Sequence, residues 1–129
     1  MDFILEKGVG KYKIICTIKF IGEDLVIFVQ GGEKYHIGAI AVGLPRESLN
    51  EKGAISSDVT TMAIPYHKED MIAREWAKST SKIINRVTVA IVGIHIDNAT
   101  RKDIETLIDN NNKLLDEFIK LIKNKFNKA

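Results

Sequence analysis

The chain has 129 residues, 45% of them hydrophobic and 28% charged, with a formal net charge of +2, as expected of one domain over residues 1–129. The near balance of charge argues against bulk nucleic-acid binding, and no apolar run reaches the roughly 18 residues a membrane span needs. Its single cysteine, Cys16, excludes an internal disulfide.

Met1-Asp2-Phe3 has neither the basic start nor the long apolar run of a secretory signal, so a cytoplasmic protein is expected. Residues 11–20 then alternate cleanly. Tyr12, Ile14, Cys16, Ile18 and Phe20 fall on one face, and Lys11, Lys13, Thr17 and Lys19 on the other, which predicts a half-buried strand. Cys16, on the apolar face, reads as a small core residue. A tight turn at Gly22-Glu23-Asp24 leads into residues 25–29, which are apolar on both faces, as suits a central strand. Gly31-Gly32 is expected to stop that strand. Residues 37–44, rich in small side chains and ended by Pro45, predict the next strand. A polar loop over 46–52 leads to another over 54–63, with a Ser-Ser-Asp-Val-Thr-Thr core suited to one wet face.

Pro65 ends that strand and a helix is expected from about Lys68 or Glu69, with Glu69 and Asp70 in the first turn, where the dipole favours acids. Ile72, Trp76, Ser79 and Ile83 recur at helical spacing as one packed stripe. Residues 87–96 form a nearly continuous apolar run of strand length. Thr100 is placed to cap a last helix, with Asp103 approximating a capping box. Ile104, Ile108, Asn111, Leu115, Phe118 and Ile122 keep their phase through Asn110-Asn111-Asn112, which predicts one long helix instead of two. The run Lys120, Lys123, Lys125 and Lys128 complements the dipole at its end. The fold class that follows is α+β: a predominantly antiparallel sheet of about five to six strands, with two main helices packed on one face.

Direction of travel turns this list into a site. With short connections antiparallel, the strand ending at Gly31 and the strand ending at His95 reach the same edge, the chain leaves that edge at His36, and Tyr66 and His67 return to it. The strand–helix–strand passage from there is expected to take the right-handed crossover. All three histidines, the paired glycines and both helix starts then share one rim. Glycines let backbone amides approach a ligand closely. Helix starts attract phosphate or carboxylate, and histidine and Lys68 add donors. A small phosphorylated molecule or an acidic peptide end is the expected occupant. A three-histidine zinc site lacks short-range ligand spacing and an obvious carboxylate, so no metal site is expected. Ser56-Ser57-Asp58 lies mid-strand with no histidine near in sequence, and no carboxylate pair is marked as acid and base. These are materials for binding more than for a reaction; His36 and His67 would be the acid–base candidates were the chain an enzyme.

The motifs Gln30-Gly31-Gly32, His36-Ile37-Gly38, His67-Lys68 before the first helix, and Gly93-Ile94-His95-Ile96 followed by a polar turn and Thr100, taken in order, resemble the small D subunit associated with gallate decarboxylase, a prenylated-flavin chaperone-like family. The resemblance covers roughly residues 12–107. It implies a non-catalytic accessory protein that binds prenylated FMN or FMN and supports a decarboxylase subunit. It also implies Gly31, Gly32, His36, Gly38, His67, Lys68 and His95 as ligand contacts, with Tyr35 or Tyr66 available to cover the ring. The family is in turn similar in fold to small proteasome-assembly chaperones. That similarity implies a different role, a module that binds proteasome α-subunits. A homo-oligomer is expected, through the long helix or through the strand face that carries Ile15 among lysines.

Overall fold

The structure is a computed structural model and describes residues 3–64 and 69–126. Six strands among these residues, β1 (Phe3–Lys7), β2 (Ile14–Ile21), β3 (Asp24–Gly32), β4 (Ala39–Glu47), β5 (Ile55–Ala63) and β6 (Thr88–His95), form one open sheet in the order β1-β2-β3-β6-β4-β5. All neighbours are antiparallel except β3 and β6, which run in parallel from Leu25↔Thr88 to Gly32↔His95. Helix α1 (Asp70–Ile84) lies between β5 and β6 in the chain, and α2 (Arg101–Phe126) follows β6. The fold is the α+β arrangement expected. β3, β5 and β6 end, and β4 begins, at the same edge.

Alternation decides which face the helices cover. Ile14, Cys16 and Ile18 of β2 and Leu25, Ile27 and Val29 of β3 are buried, as are Ala39 and Ala41 of β4 and Ala90 and Val92 of β6. α1 packs over β4, β5 and β6, while α2 packs over β1 and β2, and the helices touch each other. Buried Cys16 fits its reading as a core residue, and desolvation pushes its thiol far above the ordinary value. Trp76 is fully buried, its Nε1 donates to Asn111 Oδ1 at 2.8 Å, and its ring lies 5.5 Å from that of Phe118. Asn111 therefore sits mid-helix to serve the indole, and α2 passes through the three asparagines unbroken.

Several expected boundaries move, each for a physical reason. The deepest positions of α1 are Ala73, Trp76, Ala77, Thr80, Ser81 and Ile84, with Ile72 and Ile83 packed at the flank of the core. Small residues go inward because helix and sheet approach closely: a Cβ at Gly43 would lie 2.6 Å from the Ala77 carbonyl oxygen. In α2, Leu107 and Leu114 turn inward, while Ile104 and Ile108 stay 48% and 45% exposed. β3 continues through Gly31 and Gly32, and β4 continues through Pro45 to Glu47. Pairing with β6 ends at Gly43, so Pro45 lies where β4 has a neighbour on one side only, and there a missing N–H is tolerated. The edge strand β1 was not expected, since five residues at the chain start carry too little alternation.

Candidate functional site

At the edge where β3, β5 and β6 end, distant parts of the chain meet through main-chain bonds. Gly32 has φ +82°, and a side chain on it would overlap the His95 backbone. Glu33 N donates to the His95 carbonyl at 2.7 Å, and Gly38 N donates to that of Val92 at 2.8 Å. Residues 33–38 thus cross the end of β6, pressed so close that a side chain at Gly93 would overlap the His36 carbonyl. This crossing brings the imidazoles of His36 and His95 together, ring centres 5.9 Å apart and planes perpendicular.

Glu69, immediately before α1, joins them. It is only 8% exposed, and its Oε1 lies 3.2 Å from His36 Nε2. Its other oxygen, Oε2, is buried against Gly38, whose lack of a side chain makes the room, and has no hydrogen-bond partner among the described residues. A buried carboxylate with an unmet acceptor is costly to keep, which marks this corner. His95 Nε2 lies 2.9 Å from Asp97 Oδ1, and Lys34 Nζ 3.3 Å from Asp97 Oδ2. The hydrogen bond with His95, then the one with Lys34, holds the Asp97 carboxyl below its ordinary range.

Beside the imidazoles, a pocket of about 260 Å³ opens between the starts of the two helices and the end of β6. Ile72, Ile94, Ile96, Ile104 and Leu107 form apolar walls, and Glu69 and His95 supply its polar side. Two amides at the α2 start, those of Thr100 and Asp103, are served by side chains of the chain itself. Asp103 N donates to Thr100 Oγ1 at 3.1 Å and Thr100 N to Asp103 Oδ2 at 3.0 Å, the expected capping box. The Tyr12 hydroxyl donates to Asp103 Oδ1 at 2.6 Å, and this bond, followed by the Thr100 amide, lowers the carboxyl to about 2.

The expected site residues divide accordingly. Gly32, His36, Gly38 and His95 stand together at the rim. Gly31 instead faces the core, where an added Cβ would meet Ile14 Cδ1 and the Lys13 carbonyl oxygen. His67 and Lys68, with Tyr66, lie outside the described residues. Lys11 and Lys34 are paired with Asp103 and Asp97. Ser57 Oγ lies 2.6 Å from Ser81 Oγ, and Asp58 accepts from Arg46 Nε at 2.9 Å, so both hold structure. Glu69 is the residue that sequence reasoning missed as a site group. Its acidity near a helix start is ordinary, and its fit beside Gly38 appears only in three dimensions.

No helix among the described residues is long and apolar enough to cross a membrane. Comparison with curated proteins finds no match. Among solved structures, the chain is similar in fold to a chain of a chaperone complex for yeast 20S proteasome assembly, with a TM-score of 0.54 and 8% identity over 92% of this chain and 98% of that one. Residues 8–123 match the family described as the prenylated flavin chaperone LpdD-like domain, and the chain belongs to that family.

Proposed function

We propose that the protein is a cytoplasmic, non-catalytic accessory chaperone. It binds a phosphate-bearing flavin, prenylated FMN or FMN, at the rim and supports a decarboxylase subunit. The observation that carries this reading is the apolar pocket flanked by Glu69 and His95, with His36 held 3.2 Å from Glu69, in a chain of the prenylated flavin chaperone family. At about 260 Å³ the pocket is smaller than the roughly 300–1,000 Å³ of a typical ligand site, so it suits the hydrophobic part of such a molecule and leaves its phosphate end outside.

The isoleucine and leucine walls exclude water from an apolar ring or prenyl group. The carboxylate of Glu69 accepts from a ring N–H, and the imidazoles of His36 and His95 orient the heteroatoms. His67 and Lys68, directly before Glu69 in sequence, are the proposed phosphate partners, with the first amides of α1. Tyr35, 52% exposed, is the proposed cover for the ring. The expected result is that FMN or prenylated FMN raises the melting temperature of the purified protein, and that Lys68→Ala reduces the rise. Absence of any shift with both flavins at millimolar concentration contradicts the reading.

A second reading draws on the shared fold: a module that binds proteasome α-subunits. Recovery of α-subunits on immobilised protein at low salt supports it, and recovery of none removes it.

A further inference from the structure

Both helices lie on one side of the sheet, and the strands carry a second apolar surface on the other. The registers trace it row by row. One row crosses all six strands as Ile4↔Thr17, Thr17↔Phe28, Phe28↔Ile91, Ile91↔Ile40 and Ile40↔Met62. The next runs Lys19↔Val26, Val26↔Val89, Val89↔Val42 and Val42↔Thr60. Ile4 and Met62, at the two ends of the first row, are 65% and 67% exposed, and Leu44 on the same face is 47% exposed. An antiparallel sheet that keeps one face in water places polar side chains there. This one places Phe28, Ile91, Ile40, Val26, Val89 and Val42 at its centre, and no helix among the described residues reaches them.

We propose that this face is where two copies of the chain pair, sheet against sheet about a two-fold axis. The inference stands on the strands and not on the flavin reading. Three observations favour a second copy as the occupant. The first is size: six strands at about 4.8 Å and eight residues at about 3.3 Å span roughly 29 Å by 26 Å, on the order of 750 Å². That is close to the roughly 800 Å² per partner of a stable interface, whereas a lone helix or peptide covers only a strip. The second is shape: a twisted sheet is matched along its whole length by a surface of equal twist, which an identical sheet supplies. The third is charge. On β3, β6 and β4 these rows are uncharged, and charged groups of both signs, Lys19 and Glu6 towards one edge and Arg46 and Asp58 towards the other, sit at the margin. Such a patch meets itself without like-charge repulsion and has the apolar centre and polar rim of an interface.

Because the patch meets itself, one substitution enters the contact twice. In sedimentation velocity on the full chain at micromolar concentration, the wild type is expected to run as a dimer of 2 × 14.5 = 29 kDa. Phe28→Asp is expected to run as a monomer with unchanged far-ultraviolet circular dichroism. Where that variant fails to fold, the double variant Ile4→Lys, Met62→Lys at the exposed ends of the row is expected to weaken dimerisation at least about tenfold. Met71→Lys, on the exposed side of α1, should leave the dimer intact. A monomeric wild type at that concentration overturns the proposal, as does a dimer that survives both sheet-face variants.

Discussion

The two faces of the sheet are made by the same strands, yet they are filled differently. Towards the helices, β4 offers Ala39, Ala41 and Gly43, and β6 offers Thr88, Ala90 and Val92. Away from them the alternate positions are Ile40 and Val42, and Val89 and Ile91. The small set lets α1 settle close, so that its own alanines and serine become core. The large set cannot be approached so closely and makes a broad apolar surface. Hydrophobicity alone would have ranked the faces the other way; side-chain size decides which receives a helix.

Substitutions on the two faces test this contrast. The largest effect is expected at the centre of the covered face. Trp76→Ala removes the ring packed on Phe118 and leaves Asn111 without its donor, and should cost about 3–5 kcal/mol in urea unfolding. Gly43→Ala places a methyl against the Ala77 carbonyl and the Ser81 hydroxyl, and should cost about 1–3 kcal/mol. Its neighbour Val42→Ala, on the open face, should cost roughly 1 kcal/mol or less in the folding of the monomer. Equal costs for Gly43→Ala and Val42→Ala would erase the distinction between the faces.

Smaller effects belong to the rim. His36→Ala should weaken FMN binding about tenfold, or roughly 1.4 kcal/mol, while the melting temperature of the protein without ligand stays within a few degrees. Unaltered affinity on titration would remove His36 from the site. The smallest effect concerns acid. The Asp103 carboxyl titrates near 2 in the folded chain against an ordinary 3.8, chiefly because the Tyr12 hydroxyl donates to it. A depressed folded value means the unfolded chain binds the proton first as pH falls. The stabilisation is therefore complete above about pH 4 and is lost on descending to about pH 2. Asp103→Asn should flatten the fall in urea midpoint across that window, and an unchanged slope would show that the carboxylate does not contribute.

Much of this architecture is legible in the residues because its causes are local. Alternation in β2, the Thr100–Asp103 capping box and the unbroken phase of α2 each depend on neighbours a few positions apart. Even the meeting of His36 with His95 follows from strand direction once the connections are known to be short. What was not legible depends on size or on distance. The stripe of α1 shifted because closeness to Gly43 favours Ala77 over Ser79. The contact of Glu69 with His36 beside Gly38 joins segments that share no sequence signal. Gly31 looked like its neighbour Gly32, but the pleat turns it towards Ile14.

Imidazole nitrogen chemical shifts followed during an FMN titration test the rim site most directly, since the chain has only three histidines to assign. The signals of His36 and His95 are predicted to move together and to saturate with the ligand. Signals that stay in place at saturating FMN, or movement confined to residues away from the rim, would contradict the account.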